Sequence, residues 1–434
     1  MNYTVITSSV KRTKRITSNK LFIIPALLFA SIQFACAQGI PVINSWVMNV
    51  GGAYGIVDGH SDTIESNVLK DQFDSNWVYI TCNCIPGYDI GPWSSNPNWA
   101  KNQNFCFKIT RNPVQNTGTP VTVGLGQIGV WTNGVSIFNA WDGMSYNNKG
   151  YWDRNALVFE GVSFDTCLGH PAQNGQYHHH VNPKCLYNDK DSTHHSPIIG
   201  WAFDGFPIYG AYGYANANGT GGIKRMTSSY VLRKMVNRDT LPNSTSALPS
   251  ADYGPPVSST YPLGDFLQDY IYDTGYGDLD EHNGRFCVTP EYPAGIYAYF
   301  VTIDSKQYPV YPFVLGPTYY GTVASGNTGP GGGHVTITDS TKVWTVVQNL
   351  NKTIKFAVEP NPTNNRVYIY FDAVSDNNMA GELYNEGGQL LQTFTNMQPT
   401  MSYGIDMSCY PAGIYFFHAH TANVSAVQKI IKVN

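Results

Sequence analysis

Six of the 11 histidines fall between His170 and His195, and His178, His179 and His180 are contiguous. In an extended segment successive side chains point to opposite faces, so His178 and His180 share one face with Cβ atoms roughly 7 Å apart, while Tyr177 and His179 share the other. Two imidazoles at that spacing can chelate one ion. Imidazole-rich sites suit copper or zinc, with geometry rather than affinity deciding between them. Asn174-Gly175, just upstream, is a strong turn signal. A two-residue turn there would place His170 opposite His179, and His170, His179 and His282 are the residues expected to complete the shell. His194 and His195 lie in a polar Asp-Ser-Thr loop and read as loop residues. Cys167 and Cys185 flank the histidine unit almost symmetrically, and a bridge between them would staple it shut.

Carboxylates able to act beside such an ion occur in two later segments. Asp204 sits at an Asp-Gly turn within Gly200–Gly210, where it either caps the turn or offers its carboxylate to a site. Asp278-Leu279-Asp280-Glu281-His282-Asn283 combines three carboxylates, an imidazole and an amide before a glycine. Asp280 and Glu281 are therefore candidate general bases. The same Asp278–Asn283 loop has the oxygen-rich make-up that a calcium ion requires, without the regular spacing of a helix-loop-helix calcium site. There is no Gly-x-Ser-x-Gly elbow, phosphate-cradling loop or dinucleotide fingerprint, which argues against the commonest hydrolase and nucleotide-binding classes. Net charge is -4 and charged residues make up only 13%, so no basic field exists for nucleic acid.

The elements that must position these residues read as an all-β, mainly antiparallel fold. Val42–Val47, Trp77–Ile80, Phe105–Ile109 and Val121–Val123 are short apolar runs bounded by Gly, Pro or Asn. Thr227–Val236 and Phe266–Tyr272 are the segments expected to form a helical turn or two. Lys11 to Lys20 is a basic lead, Leu21–Ala30 an apolar run and Ala35-Cys36-Ala37 a small-residue cleavage pattern, so residues 1–37 read as a secretory signal peptide. No other stretch is apolar enough to span a bilayer. Residues 38–346 are expected to form one large, loop-rich β domain, and 347–434 a small strand-rich unit after the flexible Ala324–Gly333 segment. Seven cysteines follow residue 37. In an exported protein most should pair, leaving at least one over, with Cys409 the likeliest free thiol and Cys82 and Cys84 halves of different disulfides.

Tyr177-His178-His179-His180 resembles the run that names the YHYH-domain proteins, with His179 where the name has Tyr. Gly200–Gly210, Leu279–Cys287 and Thr289–Phe300 look like further blocks of that family, in the same order. The resemblance implies an exported protein and names no reaction. Val358–Pro362, Gly381–Gly388, Tyr410–Phe416 and Lys429–Val433 resemble the C-terminal sorting domain of type nine secretion. That likeness implies a small β-sandwich, the secretion machinery as partner, and a secreted or outer-surface location. His418 and His420 within it are spaced like a chelating pair but read as ordinary strand residues. Three functions follow: a transition-metal-binding surface protein, a metal-dependent enzyme (hydrolase or oxidase) at the same site, or a module that binds glycans or a surface. The last would be marked by exposed aromatics at Trp93, Trp99, Trp131 and Trp141.

Overall fold

The computed structural model describes residues 41–329, 331–344, 356–371, 379–397, 402–420 and 425–434. Residues 1–37, expected to be a signal peptide, and the expected start of the C-terminal unit at residue 347 lie outside them. Strands dominate and most pairings are antiparallel, as the alternating apolar pattern predicts. Among the described residues no helix is long and apolar enough to cross a membrane.

An eight-stranded sheet organises the larger part. Its spatial order is His170–Pro171, Tyr177–His179, Ser136–Phe138, Gln127–Trp131, Ile198–Ala202, Pro207–Tyr209, Ile296–Phe300 and Gly284–Cys287. The side-chain period of two gives each strand a residue for each face. Ile208, Tyr297 and Tyr299 enter one core, whereas Tyr209, Ala298 and Phe300 enter another. The second core is shared with an antiparallel sheet of Val68–Phe73, Trp77–Cys82 and Phe105–Thr110, edged by Lys342–Val343, which contributes Val78, Ile80, Phe107 and Ile109. Both faces of the large sheet are thereby covered, and burial along Gln127–Trp131 and Ile198–Ala202 is continuous rather than alternating.

The described residues between 356 and 432 include two smaller antiparallel sheets. One is Phe356–Glu359, Arg366–Phe371 and Tyr403–Asp406; the other is Leu390–Met397, Met379–Asn385, Gly413–His420 and Ser425–Lys432. Val358, Ile369, Leu383, Phe417 and Ile430 meet in a core of their own.

Several local expectations are corrected. Val42–Val47 is not a strand: Pro41, whose fixed φ suits a first helical position, opens the short helix Pro41–Asn44. Val121–Val123 contributes only an isolated bridge, Thr122 to Thr318. Thr227–Val236 carries the strand Tyr230–Leu232 rather than a helical turn, whereas Phe266–Tyr272 does contain a turn of 3-10 helix, Leu267–Asp269, before the strand Tyr270–Tyr272 that pairs with Tyr230–Leu232. Cys167 and Cys185 are bridged, whereas Cys82, Cys84, Cys106, Cys287 and Cys409 are free. The expected disulfides of Cys82 and Cys84, each to a different partner, do not form, and both thiols are core residues. Cys82 Sγ donates to Gly134 O at 3.1 Å and Cys84 Sγ to Tyr177 O at 3.0 Å, so each is satisfied where it packs.

Asp71, on Val68–Phe73, is fully buried, and neither carboxyl oxygen has a hydrogen-bond partner. Burial pushes its pKa up to about 8. The folded protein therefore holds this proton above the pH at which the unfolded chain releases it, so stability falls as pH rises from about 4 to about 8. Asp71→Asn should remove this penalty, raising stability at pH 8 by on the order of a few kcal/mol and changing little at pH 4. Urea denaturation at the two pH values would show it, and an equal effect at both would contradict it.

Candidate functional site

The histidine hairpin is held from beneath by one carboxylate. Asp165 Oδ1 accepts from the backbone N–H of Cys167 at 2.9 Å and of Gly169 at 3.1 Å. Its Oδ2 accepts from Tyr177 Oη at 2.9 Å, Trp93 Nε1 at 3.1 Å and Gly91 N at 2.9 Å. Tyr177 is thereby fixed inward, fully buried, and strand alternation turns His178 and His180 to the opposite face. Gly175 takes φ +84 at the turn, a conformation L side chains rarely adopt, and a Cβ there would also press on Lys101. The turn is longer than the two residues expected: Gly175 N donates to Ala172 O, and Ala172 N to Gln176 O. His170 consequently lies opposite His178, not His179.

That register brings His170, His178 and His180 together, with one potential ligand atom of each within 4.8 Å of the others. His178 Nε2 and His180 Nε2 are 3.1 Å apart. The other nitrogen of each ring is taken. His178 Nδ1 meets Gln176 O at 2.9 Å and His180 Nδ1 meets Asn139 O at 2.5 Å. His170 Nδ1 meets Ser163 Oγ at 2.7 Å, and that hydroxyl already donates to Glu160 O at 2.8 Å, leaving it to accept from the ring. All three Nδ1 atoms are therefore donors, and a neutral ring at each position presents its Nε2 lone pair to a common space. His170 Nε2 is buried and has no hydrogen-bond partner.

Glu160, immediately after the short helix Ala156–Phe159, completes the group. Its Oε2 lies 3.1 Å from His180 Nε2 and 3.7 Å from His170 Nε2. Burial works to raise the Glu160 pKa, but the hydrogen bond and charge of His180, with His170 and Arg154, outweigh it and hold it below the usual value. Burial, reinforced by the neighbouring imidazoles, pulls His170 down to about 4 and His178 well below its ordinary value. Phe138 stacks on His178 at 3.9 Å, and Phe164 lies edge-on to His170 at 4.8 Å. The cluster opens into a cavity of about 500 Å³ whose wall includes Asn96, Asn98, Trp141, Phe159 and the Asp142–Arg154 ion pair.

The remaining candidates lie elsewhere. His179 faces the opposite way, edge-on to Tyr177 and Trp131. His282 directs Nδ1 at Thr318 O and packs against Tyr320, outside the cluster. Asp204 is fully buried: Tyr299 Oη at 2.6 Å and Gly321 N at 2.9 Å donate to Oδ2, and Phe206 N at 3.3 Å to Oδ1. That is the turn-capping reading rather than the catalytic one. Asp280 accepts from Tyr297 Oη at 2.8 Å and from His282 N at 3.0 Å. Asp278 binds Lys224 and Thr227 instead, so the expected calcium loop does not gather its carboxylates. Glu281 lines a different, tyrosine-rich cavity. None of Asp204, Asp280 and Glu281 lines the histidine cavity. His194 pairs with Asp191 at the surface, whereas His195, expected in a solvated loop, packs against Tyr209 and Tyr214. Trp93 and Trp131 are buried, so the four tryptophans form no exposed row. Sequence reasoning missed Glu160, Ser163 and Asp165, none of which carries a motif of its own.

Comparison with known families places this hairpin. Residues 106–313 match the family model described as YHYH protein, and residues 357–433 match the secretion system C-terminal sorting domain. The chain carries a YHYH domain followed by a secretion sorting domain. A comparison with curated proteins finds no match. The sorting domain makes this a secreted or cell-surface protein and the secretion machinery its partner. In the YHYH domain the tyrosine of the motif is the anchor to Asp165, and the first and last histidines of the run face the cavity. Tyr177→Phe should cost about 1.5–3 kcal/mol, the scale of a hydrogen bond to a charged group. An unchanged urea midpoint would rule out the anchoring role.

Proposed function

We propose that the YHYH domain binds a divalent transition metal, copper or zinc, through Nε2 of His170, His178 and His180, on an exported or surface-displayed protein. The observation that carries this is the convergence of three lone-pair nitrogens whose opposite ring nitrogens are each held by a protein oxygen. Such outer hydrogen bonds fix the tautomer and orientation of metal-ligating imidazoles. With both rings neutral, two nitrogen lone pairs face each other at 3.1 Å beside a carboxylate, an arrangement a metal cation would relieve. The burial that disfavours imidazolium at His170 and His178 favours their neutral form, the form a metal binds.

A second reading, a metal-dependent enzyme at the same place, is favoured by the cavity beside the cluster and by Glu160. Three protein ligands leave a position open, and a carboxylate beside it could hold a proton. Glu160 takes the role that the sequence offered to Asp204, Asp280 and Glu281. The glycan-binding reading loses its row of tryptophans and is not favoured.

Elemental analysis of untagged protein should find one more copper or zinc per chain in the wild type than in His178→Ala/His180→Ala. Export should be unaffected. Equal metal content in wild type and double variant would overturn the assignment.

A further inference from the structure

We propose a second transition-metal site, in the sorting domain, formed by Glu382, His418 and His420. Glu382 lies on Met379–Asn385 and is paired directly with His418 on Gly413–His420. His420, two residues on, points to the same face. Glu382 Oε2 is 3.0 Å from His418 Nδ1 and Oε1 is 3.2 Å from His420 Nε2. The two rings stack at 5.2 Å with an interplanar angle of 22°. One ligand atom from each of the three residues lies within 4.8 Å of the others. All three side chains are partly exposed, at 22–34%, so an ion can reach them without the chain opening.

Two observations set this group apart from an ordinary surface ion pair. The ligands stand on the central strands of a four-stranded sheet, where continuous pairing from Ala380–His420 to Asn385–Tyr415 fixes their spacing. A single carboxylate also splits its two oxygens between two stacked imidazoles. A cation could be held by one nitrogen from each ring and a carboxylate oxygen, and two histidines with one glutamate form a donor set that zinc accepts. The ion would tie the two central strands together, and by binding only the folded sheet it would stabilise the sorting domain.

The test uses the full chain carrying His178→Ala/His180→Ala, so that uptake reports the second site alone, with zinc chloride titrated against a chromophoric chelator. One equivalent of zinc should bind, and adding His418→Ala/His420→Ala should abolish it. Glu382→Gln should weaken it by about 10–100-fold or more, the loss expected for removing a supporting group or a ligand. Zinc should also raise the melting temperature of the sorting-domain transition in the parent chain and not in the variants. No uptake by the parent chain, or uptake indifferent to His418→Ala/His420→Ala, would overturn the proposal. If circular dichroism shows that the double variant has lost its strands, Glu382→Gln, which keeps the side-chain shape, decides alone. Because the first site is removed throughout, its absence from the wild type would leave this result unchanged.

Discussion

Five hydrogen bonds to the buried carboxylate of Asp165 set the geometry on which the candidate site depends. Two come from the loop that leads into the hairpin, one from the motif tyrosine, and two from the segment around Trp93. Once Tyr177 is tied inward, the period of two leaves His178 and His180 no other direction. The Cys167–Cys185 bridge closes the same stretch covalently. The hairpin is thus fixed by its own backbone chemistry and one acidic residue, before any ligand is considered.

Onto this frame the protein brings a polar arrangement that costs free energy when unliganded. Three imidazoles are desolvated, and each has its Nδ1 proton committed to an oxygen of Gln176, Asn139 or Ser163. Their inner nitrogens share a space with the Glu160 carboxylate. Buried polar groups left in that state are expensive. Strands on both sides of the hairpin, a helix end and a distant loop all contribute to this cluster. The same logic at lower stakes applies to Glu382, His418 and His420, where solvent reduces the cost and the strands provide the spacing.

Much of this could be read from the residues. Alternation in Tyr177–His180 separated His178 and His180 from His179, and the Cys167–Cys185 staple followed from the placement of those cysteines. His170 was found for the wrong register, because the turn is one residue longer than expected and shifts the pairing by one residue. Glu160 was invisible, since only the fold of the chain around Ala156–Phe159 delivers it to His180. Asp204 and Asp280 looked chemical because acidic residues at turns do; their tyrosine and backbone partners come from strands far along the chain. Cysteine counting failed where thiols serve as core residues, as at Cys82 and Cys84, and nothing in a sequence distinguishes that use from pairing.

The central claim is that three Nε2 atoms share one ion. X-ray absorption at the metal edge of the purified protein carrying His418→Ala/His420→Ala tests it most directly. The account predicts a first shell that includes three imidazole nitrogens at about 2.0–2.1 Å for zinc, with the outer-ring scattering that histidine produces. A shell made of oxygen alone, or one containing sulfur from the free cysteines, would contradict it.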